Sequence, residues 1–288
     1  MTGQMCDMRV FDCFPLFNEI DLLELRLNEL WDVVDIFVIV EAKEAFTGNP
    51  KPMCLPDHKE RLAKYMHKIR YVVVESFPQG MTNWGKEAYQ RNQMQKELFD
   101  VLPDDILIFS DLDEIPRADV VRKITEHGIR PKEVYCLSLD WYSFYLNIKI
   151  PEKWERQGPR MIRAGDLRDL YSLRRVMAPT RGWGRNLLRQ IKSSRRMGQW
   201  VKRILVPNAG WHFTWMGGKE AVALKGSSFP NHSSMPEGEK SLAWADVRVN
   251  TLLDDETRYA LVNIDDSYPS FMRDNLDIFE KYILREKS

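Results

Sequence analysis

The chain has 288 residues, 44% of them hydrophobic, with 42 Lys plus Arg balanced by 42 Asp plus Glu. That is enough for one large α/β domain or two small ones around an ordinary core, and too apolar for a disordered chain. The zero net charge argues against general nucleic-acid binding, which needs an overall basic footprint.

No apolar run approaches the roughly 20 residues that span a bilayer. The opening MTGQMCDMRV lacks the charged-then-apolar order of a signal peptide. Residues 8–14 are predicted as a strand, ended by Pro15 and Asn18. A helix is predicted next, with Ile20, Leu23, Leu27 and Leu30 on one face and Asn18 and Asp21 placed for N-capping. Residues 36–40 form a second apolar strand, of the kind covered on both faces, and 71–74 a third. Residues 87–102 read as a helix with Met94, Leu98, Val101 and Leu102 inward. Ile106 to Phe109 is a fourth strand, and residues 134–146 read as one longer aromatic strand. Strands alternating with helices predict a mostly parallel sheet flanked by helices, in a single domain over residues 1–288. The four cysteines, Cys6, Cys13, Cys54 and Cys136, have neither C-x-x-C nor zinc spacing and are expected to be reduced, buried thiols of a cytoplasmic protein.

Chemistry concentrates in five places. In ILIFSDLDEIP an apolar strand runs into Asp111, Asp113 and Glu114, and Pro116 stops the ladder. Ligands of open α/β sheets bind beyond the carboxyl ends of strands, where carboxylates at i and i+2 can share a hard cation that neutralises a diphosphate. The competing reading is a solvated acidic turn. GWHFTWMGG places His212 between Trp211 and Trp215 among glycines. Neutral imidazole is a metal ligand, yet a lone histidine is more often a packed, hydrogen-bonded one. In WGKEAYQRNQ, Glu87 and Arg91 share a helix face, as a site pair or as a surface ion pair. Asn18, Glu19 and Glu41 follow the first two strands, where they can contact a base or ribose, although Asn18 fits a helix cap equally well. Finally, residues 156–203 hold twelve Arg and two Lys against only Asp166 and Asp169, with five glycines. Long mobile loops are expected there, either as a cationic flap over donor phosphates or as a contact for an anionic membrane surface or lipid diphosphate. RNA binding ranks last for want of a signature.

Taken together, these blocks resemble glycosyltransferase family 17, the family of the bisecting β-1,4-mannosyl-glycoprotein N-acetylglucosaminyltransferases. The resemblance rests on FNEIDLLELRLNEL followed by VVDIFVIVEA, on ILIFSDLDEIP, on VYCLSLDWYSFYLN and on GWHFTWMGG, and runs from about Arg9 to about Tyr282. It implies a GT-A-like, Rossmann-related fold, a UDP-sugar donor (UDP-GlcNAc by family precedent), a divalent cation such as Mn2+ or Mg2+, and inversion at the anomeric carbon. It further implies that Asp111 and Asp113 hold the ribose and metal-diphosphate region and that His212 is a late metal or phosphate ligand. The chain departs from animal members in lacking their anchor and stem, so a cytoplasmic location is expected. The expected reaction moves a sugar, GlcNAc first, to a glycan hydroxyl. Glu114 and Asp140 are the candidate bases, and Trp141, Tyr142, Trp211 and Trp215 the candidate acceptor platform. The rival classes are a non-catalytic sugar-binding protein and another metal-dependent nucleotide enzyme.

Overall fold

The computed structural model describes residues 8–218, 221–223 and 242–285. Its frame is β1 (Val10–Pro15), β2 (Ile36–Ala42), β3 (Ile69–Val74) and β4 (Ile106–Phe109), all mutually parallel in the order β3-β2-β1-β4. That is the Rossmann-related order. The later strands are β5 (Glu114–Pro116), β6 (Glu133–Leu137), β7 (Leu139–Ser143), β8 (Ile148–Trp154), β9 (Arg160–Arg163), β10 (Lys202–Val206), β11 (Gly210–Thr214) and β12 (Ala260–Leu261). Among the described residues, β9 joins the frame antiparallel to β4, and β6 and then β10 complete a seven-stranded sheet. A second sheet runs β12-β8-β7-β11-β5. The expected α/β class with a mostly parallel main sheet is therefore observed.

The main sheet is buried on both sides, which is why its strands read as unbroken apolar runs. Successive side chains alternate faces. Val10, Phe14, Ile106 and Ile108 pack with Leu23, Leu27 and Leu30 of the Ile20–Leu30 helix. Phe11, Cys13, Leu107 and Phe109 pack with Met94, Leu170, Leu173 and Met197 on the other face. Burying a leucine contributes roughly 1.5–3 kcal/mol, against about 1 kcal/mol for a good N-cap. Packing therefore holds the Ile20–Leu30 helix, whose N-cap Glu19 makes no side-chain capping bond. The predicted caps do other work. Asp21 pairs with Arg61 and Lys281 and accepts from the Tyr282 hydroxyl, and Asn18 is exposed.

Three expectations are corrected. Residues 134–146 are two strands in different sheets, β6 and β7. The break falls at Ser138, whose backbone bonds Val206 and Ala209 while its hydroxyl reaches Glu155. The helix expected over 87–102 runs Asn83–Gln93, started by Thr82 accepting from Gly85 N, and tightens into a 3-10 turn at Met94–Glu97. The basic segment is mostly regular. It holds β9, the helices Leu170–Arg174 and Trp183–Met197, and the start of β10. Gly182 and Gly198 there are the N-cap and C-cap of the longer helix, both at positive φ, where glycine is least strained. Cys13, Cys54 and Cys136 are free and buried, while Cys6 lies outside the described residues. Among the described residues no helix is long and apolar enough to cross a membrane.

Candidate active site

A cleft of about 770 Å³ opens at the carboxyl ends of β1, β2 and β4, where open α/β sheets bind ligands. Its floor is the turn after β4. Leu112 tucks into the core and the Glu114 amide bonds the Asp111 carbonyl, so Asp111 and Asp113 both line the cleft. Asp113 is only 6% exposed, which removes the solvated-turn alternative.

The second sheet delivers His212. β5 leaves the acidic turn and pairs antiparallel with β11, placing His212 opposite Glu114, and the Phe213 amide donates to the Asp113 carbonyl. His212 Nε2 then sits 3.6 Å from Asp113 Oδ1. Its ring packs against Trp154 (centroids 4.4 Å apart), with Trp141 near-parallel to it at 6.3 Å. Gly210 lets β5 and β11 approach, because a Cβ there would lie 2.1 Å from the Ile115 carbonyl oxygen. Gly210→Ala should cost about 2–3 kcal/mol by backbone overpacking and separate His212 from Asp113. Urea melts read the stability loss.

Arginines clamp the other acids. Asp111 gives one oxygen to Arg91 and the other to Arg174, each at 2.6 Å. Arg174 also makes a two-pronged bond to Glu114 at 2.7 and 2.8 Å. Burial opposes ionisation of Asp111, but the charges of Arg174 and Arg91 outweigh it and bring its pKa from 3.8 down to about 2. A depressed carboxyl adds stability that is complete above its unfolded pKa and lost as pH falls through the folded one. Native stability should therefore fall between pH 4 and pH 2. Asp111→Asn should be less stable at neutral pH and show a shallower loss across that window, as followed by urea melts at pH 7, 4 and 2.5. An unchanged slope would remove Asp111 as the group responsible.

Beneath the turn lies Arg26, fully buried, whose Nε and Nη2 meet both oxygens of buried Asp12 at 2.7 and 2.6 Å. Its Nη1 donates to the carbonyls of Asp111, Leu112 and Glu114. Three of the turn's four carbonyls are thereby tied to one guanidinium, and the fourth, that of Asp113, accepts from the Phe213 amide.

Several predicted residues come together in the cleft: Glu19, Glu87, Arg91, Asp111, Asp113, Glu114, His212 and Trp215 all line it. Glu87 and Arg91 form an ion pair within its wall rather than on the surface, at 2.8 Å with 15% and 9% exposure. Others are corrected. Glu114 has no exposed surface, and its oxygens are bonded by Arg174, Trp154 Nε1 and the Asp111 amide, so it is a brace and not a base. Asp140, Tyr142 and Trp211 face away from the cleft. Strand alternation puts Trp141 on the His212 side of β7 and its neighbours on the other, where Tyr142 and Trp211 are core and Asp140 pairs with Lys149 and Lys153. Trp141 itself stacks behind His212 rather than lining the cleft. Glu41 is buried under Lys51, the Cys54 amide and the Tyr71 hydroxyl, bracing a loop instead of meeting a nucleotide. Asn18 points outward while Phe17 and Glu19 line the cleft. Arg26, Arg174 and Trp154 were missed. Arg174 lay within the basic run, and Arg26 was legible as a charge inside an apolar helix face.

Two donors fit a cation whose remaining ligands are substrate oxygens, as divalent ions at phosphate sites are commonly held. The 3.6 Å between Asp113 Oδ1 and His212 Nε2 is too long for a good hydrogen bond, and suits two ligands of one ion at about 2.0–2.2 Å each. Among the described residues no third His, Cys, Asp or Glu completes a protein-only metal cage.

A family model for glycosyltransferase family 17 matches residues 2–163. The chain is 28% identical over 236 residues to the beta-1,4-mannosyl-glycoprotein 4-beta-N-acetylglucosaminyltransferases of Rattus norvegicus and Homo sapiens, covering 75% of this chain and 42% of each relative. It thus spans less than half the length of those curated relatives. Among solved structures it is similar to the glucosyl-3-phosphoglycerate synthase of Mycobacterium tuberculosis, at 14% identity and a TM-score of 0.36, covering 70% of this chain and 69% of that one.

Proposed function

Given that the chain belongs to glycosyltransferase family 17, we propose that it moves N-acetylglucosamine from UDP to a glycan hydroxyl, with inversion at the anomeric carbon. The observation that carries this reading is the approach of His212 to Asp113 inside the cleft beyond β4. In a single displacement the acceptor oxygen bonds the anomeric carbon as the bond to the diphosphate oxygen breaks. Negative charge then grows on the leaving diphosphate. Asp113 and His212 are the residues that would hold Mn2+ or Mg2+, which supplies Lewis-acid stabilisation of that charge. Asp111, kept ionised and oriented by Arg91 and Arg174, offers a hydrogen-bond acceptor to the ribose. Phe46, Trp84, Tyr171 and Trp215 give the cleft aromatic walls for base and sugar. The acceptor proton passes to a cleft carboxylate, for which Glu19 and Glu44, both half-buried, stand in place of Glu114 and Asp140.

The test is UDP release from UDP-GlcNAc by the purified chain, with and without a mannose-terminated glycan. Release that depends on acceptor and stops with chelator is expected. Release indifferent to acceptor, or none from any UDP-sugar, would overturn the reading.

A further inference from the structure

The Trp183–Met197 helix is turned inside out relative to its composition. Its apolar side chains face solvent: Trp183 is 83% exposed, Leu188 60%, Ile191 41% and Leu187 38%. Its protein-facing side is mostly polar. Ser193 and Ser194 are buried, the Ser193 hydroxyl accepts from the Met177 amide, Gln190 bonds Val201 and Arg203, and Asn186 also bonds Arg203. Only Met197 enters the core from this helix. Hydrogen bonds thus fix its orientation and leave the apolar stripe outward.

At 100° per residue, Trp183, Leu187, Ile191 and Leu188 fall within an arc of about 140°. Exposed Arg195 falls inside that arc, at about 120°, and exposed Lys192 and Arg185 continue the outer face beyond it, at about 180° and 200°. No Asp or Glu occurs between Leu170 and Lys219, so nothing on the helix offsets those charges. A second exposed tryptophan, Trp200 (61%), follows the helix C-cap Gly198. An apolar stripe beside a purely cationic one, with tryptophan at each end, is the pattern of a helix lying in the plane of a lipid headgroup layer.

We propose that this helix docks the protein on a membrane surface containing anionic phospholipid, with Trp183, Leu187, Leu188 and Ile191 inserted at the acyl boundary and Arg185, Lys192 and Arg195 against the phosphates. Pairing with a second copy is the weaker partner chemistry. A two-fold contact lays the same patch on itself, which would bring these cations together with no acid between them. An anionic lipid surface complements both halves of the face and attracts each cation near it. The inference does not depend on the sugar-transfer reading, because the face lies outside the residues that line the cleft.

The experiment is vesicle flotation of the whole chain, using phosphatidylcholine alone and phosphatidylcholine with about one-third phosphatidylserine. The chain should float with the anionic vesicles, less so as NaCl rises, and stay behind with phosphatidylcholine alone. L188E/I191E should lower the floated fraction about tenfold, with an unchanged thermal melt because both side chains are exposed. R185Q/K192Q/R195Q should remove the preference for phosphatidylserine. No flotation of the native chain, equal flotation with both vesicles, or native-like flotation of L188E/I191E each overturns the proposal. So does a concentration-dependent dimer in sedimentation velocity, without vesicle binding, that L188E/I191E abolishes. That result would assign the face to a second copy.

Discussion

Asp113→Asn is expected to lower kcat/KM for sugar transfer by about two to three orders of magnitude, the usual effect of deleting one group that stabilises a charged leaving oxygen. The change is nearly isosteric. The backbone contact from Phe213 is made by the Asp113 carbonyl and survives it, so the melting temperature should move little. His212→Gln should fall by a similar amount. If the two side chains hold one cation, the double variant should be scarcely worse than either single one, because residues acting as a unit are not additive. A second readout separates metal binding from catalysis. Thermal stabilisation by Mn2+ plus UDP should be present in the native chain and absent from both variants. Native-like transfer by Asp113→Asn in excess chelator would sink the assignment. Multiplicative losses with intact Mn2+ stabilisation would return His212 to the role of a histidine packed against Trp154 and Trp141.

How far the sequence could be read depended on which physical rule governed each stretch. Ile106–Phe109 was recovered with its own boundaries, and β1, β2 and β3 within two residues, because strands covered on both faces show as apolar runs whatever surrounds them. The acidic turn was legible for the same reason, since it follows one of those runs directly. What failed was sidedness. Asp140, Trp141 and Tyr142 looked like one platform, but a strand sends alternate residues to opposite faces, so only Trp141 reaches the His212 side. Composition also concealed partners. Glu114 looked like a reactive carboxylate until Arg174, 60 positions away, bonded both its oxygens. The glycines of the basic segment suggested loops, whereas two of them cap a 15-residue helix. Asp12 within an apolar strand and Arg26 within an apolar helix face did carry a usable signal. Two opposite charges at positions patterned for burial require each other.

That pair leads to the second large effect. Arg26→Met is expected to destabilise the fold by about 3–5 kcal/mol, the range for breaking a buried ion pair from one side. Asp12 is left with an uncompensated charge at a site with no exposed surface. The Leu112 carbonyl loses its donor as well, while those of Asp111 and Glu114 keep the Glu114 amide and the Ser110 hydroxyl, and an unsatisfied buried acceptor costs about 1–3 kcal/mol. A paired substitution separates the two contributions. Replacing a buried pair by apolar residues is often close to neutral, so Arg26→Met with Asp12→Leu should recover much of the lost stability. It should not recover transfer, because the turn that aims Asp113 at His212 has then lost the donor that ties three of its carbonyls together. Urea unfolding of the two variants beside kcat/KM measured by UDP release decides the matter. Joint recovery of stability and activity in the double variant would show that Arg26 serves only to neutralise Asp12. Recovered stability without activity would show that Arg26 positions the acidic turn.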